Sequence, residues 1–195
     1  LFQALEANGI GEDDYIVILS DHGEFLGEHD LLEHSKDVFE EVIRVPLIVR
    51  GPGFEPGVDT RPVQTHQIPE MLLAALGMDP LGDAASPPGM QIAELYWARH
   101  RDLRIPEIAE RFDRVRRAFI DGPRKLVLSE DGDHAAFDLS ADPREQRSIY
   151  GEAPWVAPMR DAAQQWLGSR TAAEGRDVEL TSSQEAHLKQ LGYLD

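Results

Sequence analysis

Cysteine is absent from all 195 residues. That excludes disulfides, a thiolate metal site and a cysteine nucleophile. Lysine is scarce: it stands only at positions 36, 125 and 189, and arginine supplies the other positive charges, a bias of codon usage rather than of chemistry. No run of about 18 apolar residues exists, so no membrane-spanning helix is expected. No signal peptide is visible, and there are no internal repeats or low-complexity segments. Positive charge is outweighed over the chain as a whole. The formal net charge is −17, which argues against nucleic acid or an acidic membrane as a partner. The chain begins with Leu and opens in mid-helix, so it is expected to be the C-terminal part of a longer protein, with its compartment and oligomeric state left open.

What the chain does have is concentrated in residues 15–46. An apolar run, Tyr15 to Leu19, stops at Ser20-Asp21-His22-Gly23, and Glu28, His29 and His34 follow. The run has the β-branched content of a strand buried on both faces, as in a parallel sheet. Ligands of open α/β sheets bind beyond the carboxyl ends of strands, where Asp21 and His22 sit. Residues 20–36 are aperiodic and read as a functional loop. Asp37 is expected to cap a short helix with Glu40 as its capping-box partner. Pro46 then leads into a second apolar strand, Leu47-Ile48-Val49.

The rest divides by period. Residues 63–76 carry an apolar helical face behind Pro69 and end at Gly77. The region 1–80 is read as part of an α/β domain. Residues 81–170 are read as a small antiparallel subdomain. Alternation over 91–97 and the pairs Asp121-Gly122 and Asp131-Gly132 predict a meander of about four strands, with an amphipathic helix over 154–167. Asp142 and Glu145 predict a capped helical turn. Residues 171–195 are read as linker and terminal helix, with Thr181 and Gln184 capping a helix that ends at Gly192.

The chemistry of the loop follows from its side chains. Asp21 offers a hard carboxylate and His22 a neutral nitrogen. Gly23 lets the backbone bend so that both reach one metal. A metal needs about four to eight ligands, so others must join. Glu24, Glu28 and His29 are nearby candidates, behind residues N-terminal to Leu1. His34 can donate a hydrogen bond to an anionic substrate or protonate a leaving group, and Lys36 can act as a fixed cation. Taken alone, an Asp-His dipeptide is more often a turn than a ligand pair, and His29, His66, His100, His134 and His187 read as structural or surface residues. The conjunction of strand, Asp-His-Gly, a further His and a Pro-led strand raises the site above that reading.

These motifs resemble the C-terminal half of a sulfatase, of the alkaline phosphatase superfamily. They are Ser20-Asp21-His22-Gly23-Glu24, Gly27-Glu28-His29, His34 with Phe39-Glu40-Glu41, and Arg44-Val45-Pro46-Leu47-Ile48-Val49 with Gly51-Pro52-Gly53. Gln67 to Glu70, Arg117 to Val127, Phe137 to Glu145 and Leu188 to Leu194 continue the likeness, with Gln67 and Glu70 departing from the family's usual Asp and Thr. The resemblance implies the end of an alkaline-phosphatase-like α/β sandwich plus a four-stranded antiparallel sheet packed by a C-terminal helix. It implies sulfuric ester hydrolysis of a sulfated small molecule or carbohydrate. Asp21 and His22 would be ligands of a divalent metal, usually calcium, with manganese or zinc as alternatives because of the imidazole. His34, or Lys36 if the alignment slips, would contact the substrate. The family's nucleophile is a formylglycine made from a Cys/Ser-x-Pro-x-Arg motif. No such motif occurs here, so the 195 residues are expected to be inactive alone. Two alternatives follow: a phosphonate monoester or phosphodiester hydrolase of the same fold, and a non-catalytic module that retains it.

Overall fold

In a computed structural model, residues 1–81, 89–96, 104, 106–170 and 180–190 are described. The chain opens with helix α1 (Phe2–Ala7) and strand β1 (Ile16–Leu19). A small hairpin of β2 (Phe25–Leu26) and β3 (Leu32–Glu33) precedes a single helical turn, α2 (Glu40–Ile43), then strand β4 (Leu47–Arg50) and helix α3 (Ile68–Ala75). Strand β5 (Gln91–Leu95), helix α4 (Pro106–Phe112), strands β6 (Arg116–Asp121), β7 (Arg124–Ser129) and β8 (Ala135–Asp138), and helices α5 (Val156–Ser169) and α6 (Ser182–Gln190) complete it. Leu1–Gln164 form one compact unit and Gln165–Asp195 a second.

The expected parallel, doubly buried strand is corrected by the structure. β1 pairs antiparallel with β4, with Val17 opposite Val49 and Ile18 opposite Ile48, in a sheet of two strands. The physical reason lies between them. A parallel return needs an element long enough to carry the chain back along the sheet. α2, with its four residues, is only about 6 Å long, so the chain re-enters from the end at which it left. Both faces stay partly open: Leu19 is 43% exposed and Ile48 50%. Gly51, at φ 151°, lies directly against the Tyr15 ring, where a Cβ would come within 2.5 Å of a ring carbon. The Tyr15 hydroxyl donates to the Ala75 carbonyl at 3.1 Å, tying α3 to β1.

The antiparallel meander forms as expected, in the order β5-β6-β7-β8. Asp121 pairs with Arg124 across a two-residue turn opened by Gly122, at φ 57°. The Asp131-Gly132 signal falls inside a longer loop, since Val127 is already opposite Ala135. The sheet buries Ala118, Phe119, Leu126, Val127, Ala136 and Phe137 almost completely. Each large side chain among these contributes about 1.5–3 kcal/mol by leaving water. Helix α5 buries Val156, Met159 and Ala163. In the second unit, Thr181 and Gln184 cap α6 reciprocally, the Gln184 amide donating to the Thr181 hydroxyl at 3.3 Å and the Thr181 amide to Gln184 Oε1 at 2.9 Å. The expected strand end at Trp97, most of the linker and the helix end at Gly192 lie outside the described residues.

Two helix-cap expectations are also corrected. Asp37 caps nothing: α2 begins at Glu40 behind Phe39, with no side-chain cap bond. Asp37 is buried instead, 3.2 Å from Arg116 Nε. Glu40 is drawn 3.1 Å from Lys125 Nζ. At Asp142, the carboxylate accepts from the amides of Gln146 and Arg147 and closes a turn that does not become a helix.

Candidate active site

The loop after β1 is pinned by a close backbone approach. The Gly23 amide donates to the Val42 carbonyl at 2.7 Å. A Cβ at Gly23 would overlap the Glu41 carbonyl oxygen, so only glycine lets the loop seat on α2. Ser20 Oγ donates to the His22 carbonyl at 2.7 Å, and Asp21 Oδ1 accepts the His22 amide at 3.0 Å. His22 Nδ1 lies 2.8 Å from the Gly23 carbonyl. A carbonyl only accepts, so Nδ1 carries a proton, and in the neutral ring Nε2 is the nitrogen with the lone pair.

The hairpin β2–β3 brings His34 back beside His22. Their ring centroids are 3.9 Å apart and tilted by 33°. His34 Nδ1 is 3.2 Å from the Glu24 carboxylate. His22, Glu24 and His34 each offer one ligand atom, and the three atoms lie within 4.8 Å of one another. Asp21 stands apart from this group. Its side chain is 80% exposed, and its Oδ1 is 3.8 Å from His22 Nε2. Lys36 is buried, its ammonium 5.7 Å from the Phe112 ring centroid. The structure thus gathers His22 and His34 with Glu24, one of the nearby candidates, and sets Asp21 at the rim and Lys36 in the packing.

The segment that carries His34 is strained. His29, Asp30, Glu33 and Ser35 all have positive φ, between 53° and 66°. Each such residue costs about 1 kcal/mol or more. Such strain persists only where the surroundings enforce it. Here the enforcement is packing. Phe25 and Leu31 of the hairpin are buried against Val42 and Phe112. The His29 ring stacks on Phe39 at 3.8 Å, and its Nε2 is 3.5 Å from Glu41 Oε2. His29 therefore serves the loop's shape. Glu28 does likewise: its carboxylate accepts the Leu26 amide at 2.7 Å, and that bond holds its carboxyl below the usual range.

Sequence reasoning gave no signal for the groups that bolt this loop to the sheet. Asp37 faces Arg116 and Arg114, and burial pushes its carboxyl up despite them. Lys125, fully buried, bridges Glu145 at 2.7 Å and Glu40 at 3.1 Å. Glu145 Oε2 accepts the Glu40 amide at 2.6 Å. A cleft of 480 Å³ runs beside these residues, lined in part by His29, Asp37, Arg114, Arg116 and Asp133. Its arginines face carboxylates: Arg114 pairs with Asp131 and Asp133, and Arg116 with Asp37 and Asp133.

An imidazole pair and a carboxylate gather just beyond β1, in a chain that also carries a four-stranded antiparallel sheet. Residues 1–78 match the family model described as Sulfatase, and the chain is similar to curated sulfatases over the rest of its length. It is 24% identical over 206 residues to the ulvan-active sulfatase of Formosa agariphila, covering 100% of this chain and 39% of that one. It is 30% identical over 155 residues to the choline-sulfatase of Rhizobium meliloti, covering 76% of this chain and 29% of that one. A solved 2-O GAG sulfatase superposes with a TM-score of 0.65 at 18% identity, covering 85% of this chain and 38% of that one. The chain thus spans well under half the length of these relatives. No helix among the described residues is long and apolar enough to cross a membrane.

Proposed function

We propose that the chain is the metal-holding and anion-contacting part of a sulfuric ester hydrolase. The observation that supports this is the match to the sulfatase family of residues 1–78, which carry Asp21 and His22 directly after β1 and the His34 ring 3.9 Å from that of His22. Asp21 and His22 hold a divalent metal, which the family resemblance makes calcium. That ion, when bound, supplies Lewis-acid polarisation of the sulfate. The chain's own residues do the rest. His34, oriented by the Glu24 carboxylate, places a ring nitrogen against the ester and its leaving-group oxygen. Lys36 adds a fixed positive charge from beside Phe112. The substrate is a sulfated small molecule or carbohydrate, as the names of the relatives suggest. A formylglycine nucleophile would come from a Cys/Ser-x-Pro-x-Arg segment outside these 195 residues, and the 195 residues alone are inactive.

The test uses the parent protein. Asp21→Ala abolishes sulfatase turnover and removes calcium. His34→Ala lowers turnover by about 10²–10⁴-fold and leaves the calcium content unchanged. Equal loss of calcium in both variants would overturn the division of roles. The Asp21-His22 pair, where the family often has Asp-Asn, favours one second reading: a phosphonate monoester or phosphodiester hydrolase. Aryl phosphonate turned over faster than aryl sulfate would establish it. If neither is turned over, the chain is a non-catalytic module.

A further inference from the structure

The donor set gathered at this site does not match the ion that the family resemblance supplies. Calcium takes six to eight oxygen ligands. The group gathered beyond β1 is two imidazoles and one carboxylate, a set suited to borderline ions such as zinc. We infer that His22 Nε2, Glu24 and His34 form a zinc-class site within the chain itself, one that takes Zn²⁺ in preference to Ca²⁺ and does not need Asp21.

Four observations support it. The three ligand atoms lie within 4.8 Å of one another, and the 3.2 Å between His34 Nδ1 and Glu24 is close to the edge of a tetrahedron with metal–ligand bonds of about 2.0–2.1 Å. His22 is already prepared as a ligand. Metal-binding histidines commonly donate their other ring N–H to a carbonyl or carboxylate, and His22 Nδ1 meets the Gly23 carbonyl at 2.8 Å. That carbonyl is itself fixed, because Gly23 is clamped to α2 through the Val42 carbonyl. The site is also reachable, with the His22 side chain 34% and the His34 side chain 26% exposed. Finally, the left-handed residues Glu33 and Ser35 flank His34 and hold the third ligand in place before any ion arrives. Asp21 lies 3.8 Å from His22 Nε2 and is turned to solvent.

This inference shares residues with the hydrolase reading but does not rest on it. An ion on His34 withdraws that ring from substrate contact, so the two occupancies exclude each other. The experiment is a titration of the 195-residue chain with ZnCl₂ by calorimetry, in excess CaCl₂, with Co²⁺ absorption spectra as a second readout and circular dichroism to verify each variant's fold. One equivalent of zinc is expected, undiminished by calcium, with the visible bands of a tetrahedral nitrogen–oxygen site for Co²⁺. Glu24→Gln and His34→Ala are each expected to weaken zinc at least tenfold, since even outer-shell partners contribute about 10–100-fold. Asp21→Asn is expected to change it less than about threefold, a loss below the range for even an outer-shell partner. The proposal is overturned if no zinc binds, if calcium displaces it, or if Asp21→Asn weakens it as much as Glu24→Gln. That last result would leave the Asp21–His22 pair of the hydrolase reading standing. Failure of the parent to hydrolyse sulfate would leave the zinc site untouched.

Discussion

Two regions of the first unit are built in opposite ways. In residues 1–78 the paired strands β1 and β4 have no fully buried position, and the candidate site sits on a strained loop. In the meander, β7 alone buries five consecutive residues, Lys125 to Ser129. The difference teaches where the site gets its rigidity. It does not come from the strand that presents it. It comes from the sheet beneath, through Val38 and Phe39, which pack against Ala118, Val127 and Phe137, and through two sets of buried charges. Phe39 joins both apolar clusters, so the hairpin that carries His34 and the meander share one packed seam. The region with the candidate site is held by the region without it.

The sharpest way to break this arrangement is at Lys125. Its ammonium is fully buried and is the shared counter-charge of Glu40, from the site region, and Glu145, from the sheet region. Lys125→Ala leaves two carboxylates facing each other in a dry environment. Removing one partner of a buried ion pair costs about 3–5 kcal/mol, and the lost side chain adds a cavity. Urea unfolding is expected to show a loss of that size. The site should loosen together with the sheet, seen as faster amide exchange at Gly23. If only the sheet were destabilised and Gly23 kept its protection, the platform role would fall.

Gly23→Ala attacks the other side of the comparison. The new methyl meets the backbone of Glu41 and Val42, which cannot yield as a side-chain tip would. Overpacking of this kind costs about 1–3 kcal/mol. The cost should be local: exchange protection of β6 and β7 amides stays, while zinc affinity drops because the His22 ring is no longer set by the Gly23 carbonyl. Equal loss of protection in β6 and β7 would mean that the two regions are one cooperative unit.

The same contrast explains what could be read from the sequence. The meander was legible because hairpin chemistry is local: Asp121-Gly122 lies at the turn it predicts. Residue type and strand-end position single out Asp21, His22 and His34 as candidates, and the structure brings His22 and His34 together. Glu24 was named only as a neighbour. Its pairing with His34, ten residues on, depends on a hairpin too short to leave a periodic trace. The failures were long-range. Asp37 and Glu40 have the spacing of helix caps, yet their partners are Arg116 and Lys125, 79 and 85 residues away, a pairing no local pattern encodes. The apolar run of β1 was read as doubly buried because hydrophobicity reports a preference for burial, not the number of neighbouring strands.

The smallest effect sharpens the comparison most, because one arginine serves both regions. Arg114 lies 3.8 Å from Asp37 of the site region and 2.9 Å from Asp131 of the sheet region. Burial pushes the Asp37 carboxyl above its usual range, with Arg116 opposing. The Ser129 hydroxyl, helped by Arg114, holds the Asp131 carboxyl far below its own. The signs of linkage are therefore opposite. A raised folded value makes the Asp37 contribution complete below the unfolded value of about 3.9, and that contribution is lost as pH rises through the folded value. A lowered one makes the Asp131 contribution complete above about 3.9, and it is lost as pH falls through the folded value. Stability of the unsubstituted chain minus that of Asp37→Asn should shrink as pH rises above about 3.9. The same difference for Asp131→Asn should shrink as pH falls below about 3.9, by less than about 1 kcal/mol because that side chain is 43% exposed and screened. Urea midpoints across the acid range measure both. Two differences moving in the same direction with pH would show that the arginine, rather than the burial of each carboxylate, sets how the two regions respond to acid.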